Sequence, residues 1–147
     1  MKPIRIFSKK IILSLFLGLS MVLGFSCQRK VSFLTSTVVP AARGYVQVKE
    51  DKNKNNVIDV HLTQLAEVER LQPPRQMYVV WMLTDQDVTK NLGQIKSSSS
   101  IMSSGLKASF QTVSAFKPVK IFITAEDNAD VQYPSYQVIL ETTTLYK

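Results

Sequence analysis

Cysteine is nearly absent from this 147-residue chain: there is one, Cys27. A single thiol excludes a disulfide framework and any cysteine-based zinc site. Histidine is equally scarce, with His61 alone, which removes every metal or catalytic arrangement that needs two. A basic surface is also missing, although the formal net charge is +7. Of the 18 Lys and Arg, four (Lys2, Arg5, Lys9, Lys10) crowd the first ten residues, which contain no acid. From Cys27 onward 14 basic residues face 11 acidic ones, a net of only +3. Nucleic-acid recognition needs a basic stripe on the folded domain, and this balance does not supply one. The length allows one ordinary domain and not two.

The N-terminal segment is an address. Residues 1–10 form a cationic region, and Ile11 to Phe25 is an apolar stretch broken only by Ser14, Gly18, Ser20 and Gly24. Its length of about 15 residues falls short of the roughly 20 that a spanning helix requires. A basic start, a short apolar core and small residues at the end make a secretory signal peptide. Leu23-Gly24-Phe25-Ser26-Cys27 resembles a bacterial lipobox, with small Ser26 before the cysteine. Leucine sits one residue further back than the usual pattern has it, as in the loosened lipoboxes of Bacteroidota lipoproteins. The resemblance implies cleavage between Ser26 and Cys27, and lipidation, palmitate included, of the new N-terminal Cys27. An ordinary signal peptide with an incidental cysteine and an uncleaved anchor are the alternatives. The only cysteine of the chain falling at the end of the apolar run favours the lipoprotein. Several acyl chains hold a protein far more firmly than one myristoyl group does. By resemblance to Gram-negative sorting, Gln28 after the cysteine, rather than Asp, favours the outer membrane.

Beyond Val31 the sequence has no long 3.6-residue period and no internal repeat. Short β-branched and aromatic runs alternate instead with clusters of Asn, Asp, Pro, Gly and Ser, the pattern of an all-β domain. The expected strands are Val31–Thr37, Gly44–Lys49, Val57–Leu65, Met77–Thr84, Leu92–Lys96, Leu106–Val113, Val119–Ala125 and Tyr136–Thr144. Seven to eight strands in this length suit a single Ig-like antiparallel β-sandwich. Val46 and Val48 alternate with Tyr45 and Gln47, and Ile58, Val60 and Leu62 with Asp59, His61 and Thr63. Leu106, Ala108 and Phe110 likewise alternate with Lys107, Ser109 and Gln111. Such strands bury one face and wet the other. Met77 to Leu83 is apolar on both faces, so its outer side needs a cover. The Leu71–Gln76 loop, the serine-rich segment Ser97–Gly105 with its Ile101 and Met102, and a partner are the three possibilities.

Several pieces together resemble the periplasmic C-terminal domain of bacterial anti-sigma-K factors. They are Pro40-Ala41-Ala42-Arg43-Gly44, Leu62 to Leu65, Tyr78-Val79-Val80-Trp81-Met82 and Leu92-Gly93. Phe122-Ile123-Thr124-Ala125-Glu126, Tyr133-Pro134-Ser135 and Val138-Ile139-Leu140 follow in the same order, spanning about residues 33–140. The resemblance implies the fold and an envelope location. It does not carry over sigma-factor inhibition, since the leader and Cys27 stand where those factors have a sigma-binding domain and a membrane helix.

Few residues carry a chemical signal. Asp51, Asn53, Asn55 and Asp59 occupy positions 1, 3, 5 and 9 of a calcium-loop pattern. The bidentate Glu that such a loop needs at position 12 is Leu62. A polar hairpin with Asn56 in the left-handed conformation is the expected reading. His61 beside Asp59 has no nucleophile in a recognisable setting, so it reads as a solvent-facing strand residue. Glu126, Asp127 and Asp130 read as solvated acids of a connector. Trp81 and the tyrosines suit sugar stacking, but Trp81 inside an apolar strand reads as core.

The expectation is therefore a signal peptide over residues 1–26, a lipidated Cys27 with a tether to residue 30, and a sandwich over 31–147. No catalytic, metal or cofactor site is expected. The function expected is an interaction or sensing module of the cell envelope, membrane-bound through its lipid, with an envelope protein or polymer as partner and no nucleic acid. An accessory carbohydrate- or cell-wall-binding lipoprotein is the alternative, which an exposed aromatic platform would favour.

Overall fold

The computed structural model describes residues 29–95, 97–98 and 106–146. Among these residues nine strands form two antiparallel sheets, with a short 3-10 turn at Val68–Arg70. The strands are β1 (Arg29–Ser32), β2 (Arg43–Glu50), β3 (Asn56–Leu65), β4 (Met77–Thr84) and β5 (Thr89–Ile95). They continue with β6 (Ser97–Ser98), β7 (Leu106–Ser114), β8 (Pro118–Glu126) and β9 (Val138–Glu141). One sheet has the order β1-β2-β3-β7-β6 and the other β5-β4-β8-β9. The chain passes between sheets after β3, after β5 and after β7, giving the crossed connections of an Ig-like sandwich. Among the described residues no helix is long and apolar enough to cross a membrane.

Alternation in the sequence becomes the two faces of the first sheet. Val46, Val48, Ile58, Val60 and Leu62 are buried against Tyr78, Val80, Met82, Ile121, Ile123 and Leu140 of the second. Each such aliphatic side chain contributes about 1.5–3 kcal/mol by leaving water. On the reverse of the first sheet lie Tyr45, Asp59, His61, Lys107, Ser109 and Gln111. Gly44 sits where β2 and β3 approach most closely, since a Cβ there would lie 2.3 Å from the His61 carbonyl oxygen.

β5 begins at Thr89, three residues before its expected start, and most other strands run about a residue past theirs; two differ because the chain changes sheet. The run Val31–Thr37 straddles both sheets. Arg29–Ser32 pairs with β2, whereas Phe33 bridges to Thr142 and Leu34 donates its N–H to the Glu141 carbonyl of the other sheet. The run Tyr136–Thr144 is accordingly a regular strand only over Val138–Glu141. Ser97 and Ser98, expected in a loop, pair with Ala108 and Lys107. Ile101 and Met102 lie outside the described residues.

Short and long connections segregate to opposite ends of the sandwich. The end at Arg29 carries three tight turns: residues 51–55, 85–88 and 115–117. The far end carries the long connections: 33–42, 66–76 and 127–137, together with the passage from β5 to β7.

Candidate functional site

β4 is the central clue, because Val79 and Trp81 face away from the core and are nonetheless fully buried. The β8–β9 connection, 127–137, is bonded to β5 beside Trp81 and to the 71–76 loop at Gln72, while most of the serine-rich segment expected as a cover lies outside the described residues. Three side chains hold the connection down. Asn91 on β5 donates its amide to the carbonyls of Ala129 (2.8 Å) and Val131 (2.9 Å), and its own oxygen accepts from the Gly93 N–H. Ser135 donates its N–H to Glu126 Oε1 (2.8 Å) and its hydroxyl to the Ala125 carbonyl. Gln137 reaches the Gln72 carbonyl. A bulge makes the Asn91 contact possible: Val80 pairs with Gly93 but Trp81 with Asn91, and Gly93 takes φ +125°, open to glycine.

Beside this connection runs a buried polar chain. Trp81 donates its indole N–H to Thr124 Oγ1 (2.8 Å), and Thr124 donates its hydroxyl to Glu126 Oε1. Phe122 stacks on Trp81 with centroids 6.3 Å apart. Trp81 is thus core, as its setting in the sequence indicates. Glu126 departs from the expectation of a solvated connector acid: it ends β8, is buried, and accepts two hydrogen bonds. Two donors on one oxygen are what a buried carboxyl needs. Asp127 instead pairs with Arg75 (2.6 Å), and Asp130 is exposed. The three acids share a stretch of sequence without forming a site.

On top of the connection stand Tyr133 and Tyr136, the two most exposed large hydrophobic side chains among the described residues. They differ from the other tyrosines. Tyr78 is buried with its hydroxyl on the Ala66 carbonyl (3.0 Å), and burial, aided by the Glu69 charge, pushes its pKa up to about 12. Tyr45 packs against His61 with ring centroids 4.9 Å apart and planes tilted by 32°, and lies under Lys30. Tyr146 lies between Arg29 (4.7 Å) and Lys117 (4.6 Å).

The calcium-like loop is a hairpin turn. Asp51 Oδ1 accepts from the N–H groups of Asn53 and Asn55, and Oδ2 from the Asn55 amide. These bonds, the Asn55 N–H first, hold its carboxyl below the usual carboxylate range. The left-handed residue is Lys54 (φ 63°) and not Asn56, which is already paired with Glu50 in the ladder. A three-residue loop closed this way puts its last residue in the left-handed region. Asp59 lies on the sheet face, bound to Gln111 and 3.9 Å from Lys49. His61 is exposed, and its ring partner is Tyr45. Among the described residues no three His, Cys, Asp or Glu gather as metal ligands.

One open groove of about 230 Å³ lies between residues 34–37 and β9. It is smaller than ligand pockets of roughly 300–1,000 Å³. Cys27, the expected lipid site, lies outside the described residues. No known protein family, curated protein or solved structure matches the chain.

Proposed function

We propose that this protein is a lipid-anchored module of the bacterial cell envelope, attached to the outer membrane through Cys27. In this reading it is non-catalytic, an interaction or sensing domain resembling the exported domain of anti-sigma-K factors in fold and location. The observation that carries the reading is the start of β1 at Arg29, two residues after the only cysteine. A strand described this close behind Cys27 supports an anchor set directly against the domain. Replacing Cys27→Ser abolishes metabolic palmitate incorporation and leaves an unprocessed or soluble product. Undiminished labelling of that variant overturns the reading.

A second reading concerns the partner. Tyr133 and Tyr136 present their rings to solvent at the end of the sandwich away from Arg29, on a connection fixed by Asn91 and Ser135. Exposed rings on a rigid support suit the flat faces of sugars, which favours an envelope polysaccharide as the partner. A protein partner is the other choice for the same surface.

A further inference from the structure

The end of the sandwich at Arg29 has a composition of its own. Phe116, 40% exposed, stands in the middle of one turn and Val88, 45% exposed, closes the adjacent turn against Thr84; Asp85 joins the two turns by donating its N–H to the Lys117 carbonyl (3.1 Å). Asn56 ties the third turn in, through its amide on the Phe116 carbonyl (3.2 Å). Lys52 and Lys54 are exposed on that third turn. Asp51 lies between strand and turn with both oxygens hydrogen-bonded and keeps its negative charge beside them. Lys90 lies over the Phe116 ring (4.1 Å), and Lys117 over Tyr146. Against the acids of this end, Glu50, Asp51, Asp85 and Asp87, stand Arg29, Lys52, Lys54, Lys90 and Lys117, an excess of one positive charge.

Geometry adds the decisive constraint. Arg29 pairs with Val48, two residues short of the strand end at Glu50. Those two residues of strand measure about 7 Å. From Arg29 back to Cys27 is also two residues, with a reach of about 7 Å when fully extended. A lipid on Cys27 thus cannot hold the turns clear of the bilayer surface.

We infer that this end is a lipid-docking face, with Phe116 and Val88 inserted at the headgroup level of an anionic membrane and Lys52, Lys54 and Lys117 on its phosphates. The inference rests on lipidation of Cys27. Exposed apolar side chains among cations are the chemistry of interfacial binding. Basic side chains near anionic lipid each strengthen binding about fivefold.

The test uses the full-length, processed protein in phosphatidylethanolamine vesicles containing phosphatidylglycerol and a nitroxide lipid. Ala115→Cys, beside Phe116, and Asn128→Cys, at the opposite end, each receive a thiol-reactive fluorophore. Several-fold stronger quenching at 115 than at 128 is expected. Adding Phe116→Ser, Lys52→Gln and Lys54→Gln to the first variant should bring its quenching down towards the second, with the protein still sedimenting with vesicles. Equal quenching at both positions in vesicle-bound protein overturns the docking face and leaves the anchor standing. Labelling of the parent chain at Cys27 shows a free thiol, and overturns both.

Discussion

The two ends of the sandwich are built from different kinds of connection. At the Arg29 end three tight turns close the strands, and Arg29, Lys117 and Tyr146 stack where the described chain begins and ends. At the far end the connections are long, and one of them, 127–137, folds back to bond with β5 of the second sheet. Tight turns have little slack, so their exposed side chains are held on one surface and suit a flat partner. Long connections leave room for a surface shaped to one ligand, provided something fixes them. Here Asn91, Glu126 and Ser135 do so. In the proposed reading the first end faces the membrane and the second a partner.

That contrast is sharpest in stability. Trp81→Ala empties the largest fully buried side-chain volume among the described residues and takes the indole donor from the Thr124 hydroxyl oxygen, leaving the Thr124 to Glu126 bond in place. A loss of about 3–5 kcal/mol is expected from a buried tryptophan, read by urea unfolding of the purified protein. A cost near that of a surface substitution would show that the connection does not depend on the buried ring beside it. At the other extreme stands the double change Tyr133→Ala with Tyr136→Ala, expected to move stability by no more than about 0.5 kcal/mol. Its effect belongs to binding. Lost retention on isolated cell-wall polymer, with stability unchanged, makes the polymer the partner. Retention equal to the parent's returns the surface to a protein.

Much of the fold is legible in the sequence, because period-two alternation in β2, β3 and β7 follows directly from one wet and one dry face. The two-sided apolar run of β4 is also legible as a strand needing cover. The place of the 127–137 connection beside it is not, because Asn128, Asp130 and Pro134 give that segment the composition of an ordinary exposed connector. The signal that points to it is Asn91-Leu92-Gly93, a glycine inside a strand that marks a bulge and aims Asn91 at the returning chain. Glu126 is misread for the same reason: its two donors come from residues 124 and 135, and only the fold brings the second to it. The sheet switch at Phe33 is hidden because one continuous β-prone run, Val31–Thr37, spans the point where the pairing partner changes from β2 to Thr142. Neither the tyrosine pair nor the apolar turn residues form a motif, since each gains meaning only from the end of the sandwich it occupies.

The central claim is that a lipid on Cys27 holds the sandwich directly at the membrane, with no free tether. Brief digestion of envelope membranes by proteinase K tests it most directly. Arg29–Ser32 is paired with β2, Phe33 and Leu34 are bonded across to β2 and β9, and Ser36 and Val39 are buried. The predicted result is that the domain stays with the membrane while exposed proteins are degraded. Rapid cleavage between Val31 and Val39, with release of an intact soluble domain, would contradict it.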